Sequence, residues 1–279
     1  MNWRKKKNLE HTVRNAEYFL FDMDGVLRIG DKQIYGADKL IQRLTNLGKK
    51  GMIITNECRG GPHEIRKQLL NMDINLPDSW EIYTSSLDCY YYLEKLNLTN
   101  KIKSKWCAFG DIKFISYIKD KTSHFKGMIY SENEIDILVI GAMNNRQWQE
   151  FGKRKLENIL KKNKNVKIIC TCNDISDPSN NVISPLFMID SMKIKVNITY
   201  ICGKPNKDIF LRIKEILSIK AEDKLLFIGD NIDTDIEFAN KCNIPCILVR
   251  SGIDIPENRK KIDYICNSVL DIYNAIFLL

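Results

Sequence analysis

The stretch FDMDGVL, residues 21–27, ends the apolar run YFLF (18–21) with two carboxylates, Asp22 and Asp24, one residue apart. Like charges this close repel, and a plain strand end does not need them. The apolar run suits a short buried strand, so the first expectation is a sheet edge that carries both acids. What offsets their repulsion must come from elsewhere in the chain.

Working outward from this stretch, strand and helix patterns alternate. Leu40, Ile41, Leu44 and Leu47 have helical spacing, closed by Gly48. GMIIT (51–55) reads as a second buried strand, HEIRKQLLNM (63–72) as a helix, and EIYTSS (81–86) as the start of another such step. The pattern resumes with the strand-like DKLLFIGD (223–230) and IPCILVR (244–250), separated by the helical DTDIEFANKC (233–242). A last helix places Val269, Ile272, Tyr273 and Ile276 on one side. Strands alternating with helices predict an α/β fold, a doubly wound parallel sheet of Rossmann-like type.

The middle of the chain has its own strand candidates, WCAF (106–109), DILVIG (136–141) and VKIIC (166–170). It also has an amphipathic helix with Trp148, Phe151, Leu156, Ile159 and Leu160 on one face. The expected organisation is a discontinuous core over 16–85 and 199–279, with a smaller α/β domain over 86–198 inserted into it. The polar residues 1–15 read as a flexible arm.

The totals narrow the function. The chain has 279 residues, 44% of them hydrophobic and 28% charged, enough for a sizeable core. The formal net charge of +8 reads as a lysine-rich solvated surface, including the basic stretch 153–167. No ribonucleoprotein-type aromatic motif, zinc-finger spacing or arginine-rich arm points to nucleic acid. No run reaches the roughly eighteen apolar residues of a membrane span. The nine cysteines include no CxxC pair and read as small buried hydrophobes of a reduced, cytoplasmic protein. His11, His63 and His124 fall in unrelated places and suggest no metal site.

Strand ends of a parallel sheet converge on one edge, where ligands bind. Asp22 and Asp24 follow YFLF, Thr55 follows GMII, and Asp230 follows LLFIG, with Asp233 and Asp235 in the same loop. Lys204 in CGKPNKDIF stands just ahead of a helix whose start is marked by Pro205. Clustered carboxylates become tolerable around a divalent cation, and hard oxygen donors in small number suit magnesium. Together with a lysine and backbone N–H groups, the cation would offset phosphoryl charge. One acid could then attack phosphorus and the other move the proton.

Four stretches in order, FDMDGVL, IITN, GKPNKDIF and GDNIDTDIEFA, resemble the four motifs of the haloacid dehalogenase superfamily of phosphatases. The resemblance implies Asp22 as the nucleophile that becomes aspartyl phosphate and Asp24 as general acid/base. It implies that Thr55 and the amide of Asn56 anchor the phosphate, and that Lys204 neutralises nucleophile and phosphoryl charge. The implied magnesium ligands are Asp22, the backbone carbonyl of Asp24, and Asp230, with Asp235 positioning metal-bound water. Asp233 reads as a loop residue.

Thirty-three residues separate Asp22 from Thr55, too few for a cap domain, and 149 separate Thr55 from Lys204. That spacing is similar to the NagD-like and p-nitrophenyl phosphatase-like branch, whose α/β caps close over small phosphoesters and often mediate homodimers. The implied partner is a small phosphorylated metabolite, with neither nucleic acid nor membrane. Phosphoryl transfer to a second acceptor, or non-catalytic phosphate binding by a regulatory protein, are the alternative readings. The departures lie near the cap. LRIGDKQIY (27–35) predicts a hairpin flap turning at Gly30 and Asp31, with Arg28 where family flaps commonly carry an aromatic residue. Arg28 there either grips an anionic substrate or faces solvent. Asn173 and Asp174 survive from a family substrate loop whose glycine is lost.

Overall fold

The computed structural model describes residues 3–99, 103–173, 181–252 and 261–276. In chain order the elements begin with α1 (Trp3–Asn15), β1 (Tyr18–Phe21), β2 (Arg28–Ile29), β3 (Lys32–Gln33), α2 (Ala37–Asn46), β4 (Lys50–Thr55) and α3 (Pro62–Leu70). There follow β5 (Glu81–Thr84), α4 (Ser85–Thr99), β6 (Ser104–Phe109), α5 (Ile112–Lys121), β7 (Met128–Tyr130), β8 (Ile137–Ile140) and β9 (Met143–Asn144). Next come α6 (Asn145–Gln147), a π-helical turn (Trp148–Gly152), α7 (Lys153–Lys162), β10 (Lys167–Cys170), β11 (Val182–Ile183) and α8 (Pro185–Met192). The chain continues through β12 (Asn197–Ile201), α9 (Ile209–Leu217), β13 (Leu225–Gly229), a second π-helical turn (Ile232–Ile236) and α10 (Glu237–Lys241). It ends with β14 (Cys246–Val249), β15 (Tyr264–Cys266) and α11 (Val269–Ile276).

Contacts divide these elements into two units, one comprising Met1–Thr55, His63–Tyr83 and Lys204–Leu279, the other Asn56–Pro62 and Thr84–Gly203.

The first unit holds a six-stranded sheet in the order β15-β14-β13-β1-β4-β5. β1 lies between β13 and β4, parallel to both, with Phe21 opposite Ile228 on one side and Ile53 on the other. The chain winds outward from β1 in both directions, which makes its carboxyl end a topological switch point. All four residues of β1 are buried, which is why YFLF has no polar alternation. Phe21 stacks on Trp80 with ring centroids 5.8 Å apart. Gly51 leaves room for the Trp80 indole to approach β4 closely.

The hairpin expected over 27–35 forms, with Arg28 opposite Gln33 and Gly30 at φ +57° in the turn. α2 buries Leu40, Ile41 and Leu44 as its spacing predicts, while Leu47 lies just past the last turn and is exposed. α9 begins at Ile209, several residues later than Pro205 would place it.

Within the stretch read as a flexible arm the described residues, Trp3–Asn15, form a helix, and Leu9 and Val13 are buried in the same cluster as Phe19, Phe21 and α11. Four residues apart, they meet on one face, a signal masked in the sequence by the lysines around them. α1 packs against α11, and α11 in turn against α2.

The second unit contains a five-stranded, wholly parallel sheet in the order β12-β10-β8-β6-β7. One cluster gathers Phe109, Leu138, Ile140, Trp148, Leu156 and Ile168, another Trp106, Phe114, Ile118, Val139 and Ile169. The predicted single face from Trp148 to Leu160 is broken. The π-helical turn at Trp148–Gly152 changes the angular step, so Trp148 and Leu156 are buried while Phe151 turns outward. The basic stretch after it is solvated, as expected. No helix among the described residues is long and apolar enough to cross a membrane. Of the nine cysteines all but Cys242 are buried.

Candidate active site

The switch point places Asp22 directly after β1, while Asp230 follows β13 and Thr55 ends β4. Asp22 continues the ladder, donating its N–H to the Ile228 carbonyl at 2.9 Å. Its carboxylate is therefore carried by rigid backbone. Lys204, 182 residues away in sequence, donates from Nζ to Asp22 Oδ1 at 2.5 Å and to Asp235 Oδ1 at 2.6 Å. The lysine side chain is almost wholly buried.

The stretch GDNIDTDI folds around its own side chains. Asn231 Oδ1 accepts from the Asp233 and Thr234 N–H groups at 2.8 and 3.3 Å, capping the turn. Asp235 Oδ2 accepts from the N–H groups of Asp230 and Asn231 at 3.0 and 3.1 Å. Asp235 thus pins the loop that carries Asp230 and grips Lys204 with its other oxygen. Asp233 is exposed on the π-helical turn rather than in a loop.

Asp22, Asp230 and Asp235 are all buried, and one carboxylate oxygen from each can lie within 4.8 Å of the others. Glycines make this crowding possible. Gly25, at φ +79°, lies so close that a Cβ there would collide with the Asp230 carboxylate, and so does Gly252. A Cβ on Gly229 would strike Asp235.

The charges do not balance. One ammonium faces three carboxylates in a place water hardly reaches. Burial, reinforced by the Asp235 charge, raises the Asp22 carboxyl well above the usual carboxylate range, against the pull of Lys204. Burial and the Asp235 charge likewise push Asp230 up to about 8. Burial alone would lower the Lys204 pKa, but the Asp22 and Asp235 carboxylates outweigh it and raise it. The lysine stays charged, leaving a surplus of about two negative charges when all three acids ionise. A small divalent cation with hard oxygen ligands fits that surplus and that donor set.

Asp24 stands apart from the cluster. Its side chain is 53% exposed, and its Oδ1 accepts from Arg28 Nε at 2.8 Å. Arg28 is not solvent-facing. It is buried, and its Nη1 donates to Gln68 Oε1 at 2.7 Å. Pairing on the buried side of the flap turns it inward, which strand alternation alone could not reveal.

Thr55 is buried at the end of β4. Asn56, peptide-bonded to it, belongs to the second unit, where its carbonyl accepts the Ser85 hydroxyl at 2.8 Å. Asn173 is half-buried, and Asp174 lies outside the described residues. Sequence reading missed Gln68 and Gly252 altogether. Each joins the site only through tertiary approach, and neither lies in a motif.

Residues 19–121 match the sequence profile of the haloacid dehalogenase-like hydrolases, and residues 201–272 match a second, HAD-hydrolase-like profile. A dihydroxyacetone phosphatase of Corynebacterium glutamicum is 25% identical over 91% of this chain and 90% of its own. An acid sugar phosphatase of Staphylococcus saprophyticus is 24% identical over 89% of this chain and 92% of its own. Among solved structures, a Thermotoga maritima 4-nitrophenylphosphatase superposes with a TM-score of 0.76 at 22% identity, covering 95% of this chain and 99% of its own. NagD of Escherichia coli superposes with a TM-score of 0.70 at 18% identity, covering 91% and 97%.

Proposed function

The chain belongs to the haloacid dehalogenase-like hydrolases and is a phosphatase of that superfamily, and we propose that it hydrolyses small phosphomonoesters with magnesium, through an aspartyl phosphate on Asp22. The observation that carries this reading is the buried cluster of Asp22, Lys204, Asp230 and Asp235 at the switch point.

In the first step an Asp22 carboxylate oxygen attacks phosphorus, and the bond from phosphorus to the ester oxygen breaks. The departing oxygen takes its proton from the Asp24 carboxyl and leaves as an alcohol. In the second step Asp24, now a carboxylate, accepts a proton from water as the water oxygen attacks phosphorus. The bond from phosphorus to the Asp22 oxygen breaks, inorganic phosphate leaves, Asp22 is again a carboxylate and Asp24 again carries its proton. Lys204 holds Asp22 in place and offsets charge on nucleophile and phosphoryl group throughout. Thr55 and the Asn56 amide bind phosphate oxygens. Magnesium, held by Asp22, Asp230 and the Asp24 carbonyl, would neutralise and orient the phosphoryl group when bound. Asp235 orients the loop behind it.

The second unit lies in chain order where an inserted cap domain would, and it supplies substrate selection in this reading. The names of the relatives direct the substrate panel: dihydroxyacetone phosphate, sugar phosphates and phosphoglycolate.

The test is phosphate release from p-nitrophenyl phosphate and from that panel, with magnesium or EDTA, for the native chain and Asp22→Asn. Turnover that needs magnesium and disappears in the variant is expected. Turnover that survives Asp22→Asn, or is indifferent to EDTA, would sink the mechanism. A folded native chain that binds magnesium and phosphate yet turns over no ester would instead mark a phosphate-binding regulator.

A further inference from the structure

We infer that Arg28, anchored by Gln68, is a positioning residue that holds Asp24 in the orientation needed to protonate the leaving group. The inference rests on the reading of Asp24 as general acid.

Three observations carry it. Arg28 engages both carboxylate oxygens of Asp24, with Nε donating to Oδ1 at 2.8 Å and Nη2 approaching Oδ2 at 3.5 Å. The contact is a two-pronged fork, which restricts rotation of the carboxylate as a single point charge could not. The guanidinium is itself fixed, since Arg28 is 5% exposed and its Nη1 donates to Gln68 Oε1 at 2.7 Å from α3. Finally, the backbone closes the same turn, with Gly25 N–H donating to the Arg28 carbonyl at 2.7 Å.

An exposed ion pair four residues apart would contribute under about 1 kcal/mol and fix little. This pair differs because one partner is buried and tied to a second element. Without such a tether an acid as exposed as Asp24 would sample several rotamers, only some aimed at the ester oxygen. Position 28 thus couples the flap, Gln68 and the proton donor, all within the first unit. The fork also restricts the choice of residue, because lysine can supply the charge but not two parallel N–H donors.

A general acid matters most for poor leaving groups. An alkoxide needs the proton as the bond to phosphorus breaks, whereas p-nitrophenolate is a stabilised anion that departs without it. The experiment therefore measures single-turnover leaving-group release, under magnesium, from p-nitrophenyl phosphate and from the alkyl phosphomonoester the native chain turns over best. The proteins compared are the native chain, Arg28→Met, Arg28→Lys, Gln68→Leu and Asp24→Asn.

For Arg28→Met the alkyl ester is expected to slow about 10- to 100-fold, a fraction of the roughly 10²–10⁴ that a general acid contributes. Release of p-nitrophenolate should stay within about threefold of native. Arg28→Lys should recover part of the loss, and Gln68→Leu should lie between native and Arg28→Met. Equal slowing of both substrates would mark a structural role and overturn the inference. So would a native rate for Arg28→Met on the alkyl ester while Asp24→Asn is selectively slow. If Asp24→Asn itself shows no such selectivity, the general-acid reading fails and the inference falls with it. If Arg28→Met does not fold, as circular dichroism would show, Gln68→Leu decides on the same criteria.

Discussion

The Lys204 ammonium lies 2.5 Å from the Asp22 carboxylate, although 182 residues separate them in the chain. The contact is buried and is shared with Asp235 at 2.6 Å. It makes one lysine the electrical centre of a site otherwise built from acids. Removing it should cost far more than one ordinary ion pair.

Lys204→Met is expected to abolish turnover and to destabilise the protein by about 3–5 kcal/mol, the usual cost of breaking a buried pair. Urea unfolding followed by circular dichroism would measure the second effect. A loss below about 1 kcal/mol would mean that water reaches the cluster and screens it.

The carboxylates predict a pH effect in magnesium-free protein. Asp22 and Asp230 are raised in the fold above the ordinary carboxylate value of 3.8, Asp230 to about 8. The folded state therefore holds protons that the unfolded chain has already released. Their contribution to stability is present below about pH 4 and is lost as pH rises toward 8. With EDTA, Tm should fall between pH 5 and pH 8. Magnesium should raise Tm more at pH 8 than at pH 5, because the cation must displace those protons. An equal magnesium effect at both values would refute the electrostatic account.

Gly25→Ala tests the packing behind the acids. At φ +79° a side chain is strained, and its Cβ would collide with the Asp230 carboxylate. The variant should lose about 1–3 kcal/mol and bind magnesium at least tenfold more weakly, read by calorimetric titration. Gly30→Ala, also at positive φ but in open space, should leave magnesium affinity unchanged.

Leu9→Ala tests the N-terminal helix. Leu9 is fully buried in the core of the first unit, so truncation should cost about 2–4 kcal/mol. A frayed arm would lose almost nothing, and the unfolding midpoint distinguishes the two.

Much of this protein is legible locally. YFLF, GMIIT and LLFIG are short and largely apolar; YFLF and LLFIG are followed at once by Asp22 and Asp230, and GMIIT ends on Thr55. Because strand direction and the acids that follow it are adjacent in the chain, sequence alone determined the α/β class and the parallel sheet, and it singled out Asp22, Asp24, Thr55, Lys204 and Asp230 as candidates at one sheet edge. Their roles, and that of Asp235, came only through the motif resemblance.

Other features exist only after the chain closes on itself. Arg28 reads as a flap residue until Gln68, forty positions later, draws its guanidinium inward. Leu9 and Val13 read as part of a charged arm until α11 gives them a face to cover. Phe151 belongs to an amphipathic face until a π-helical turn rotates it out. Gly252 has no signature, yet the Asp230 carboxylate needs its missing side chain. Local pattern reports what a residue prefers. Which partner it meets, and what electrostatic cost that meeting carries, depends on approaches between distant segments, and those were decided by tertiary structure.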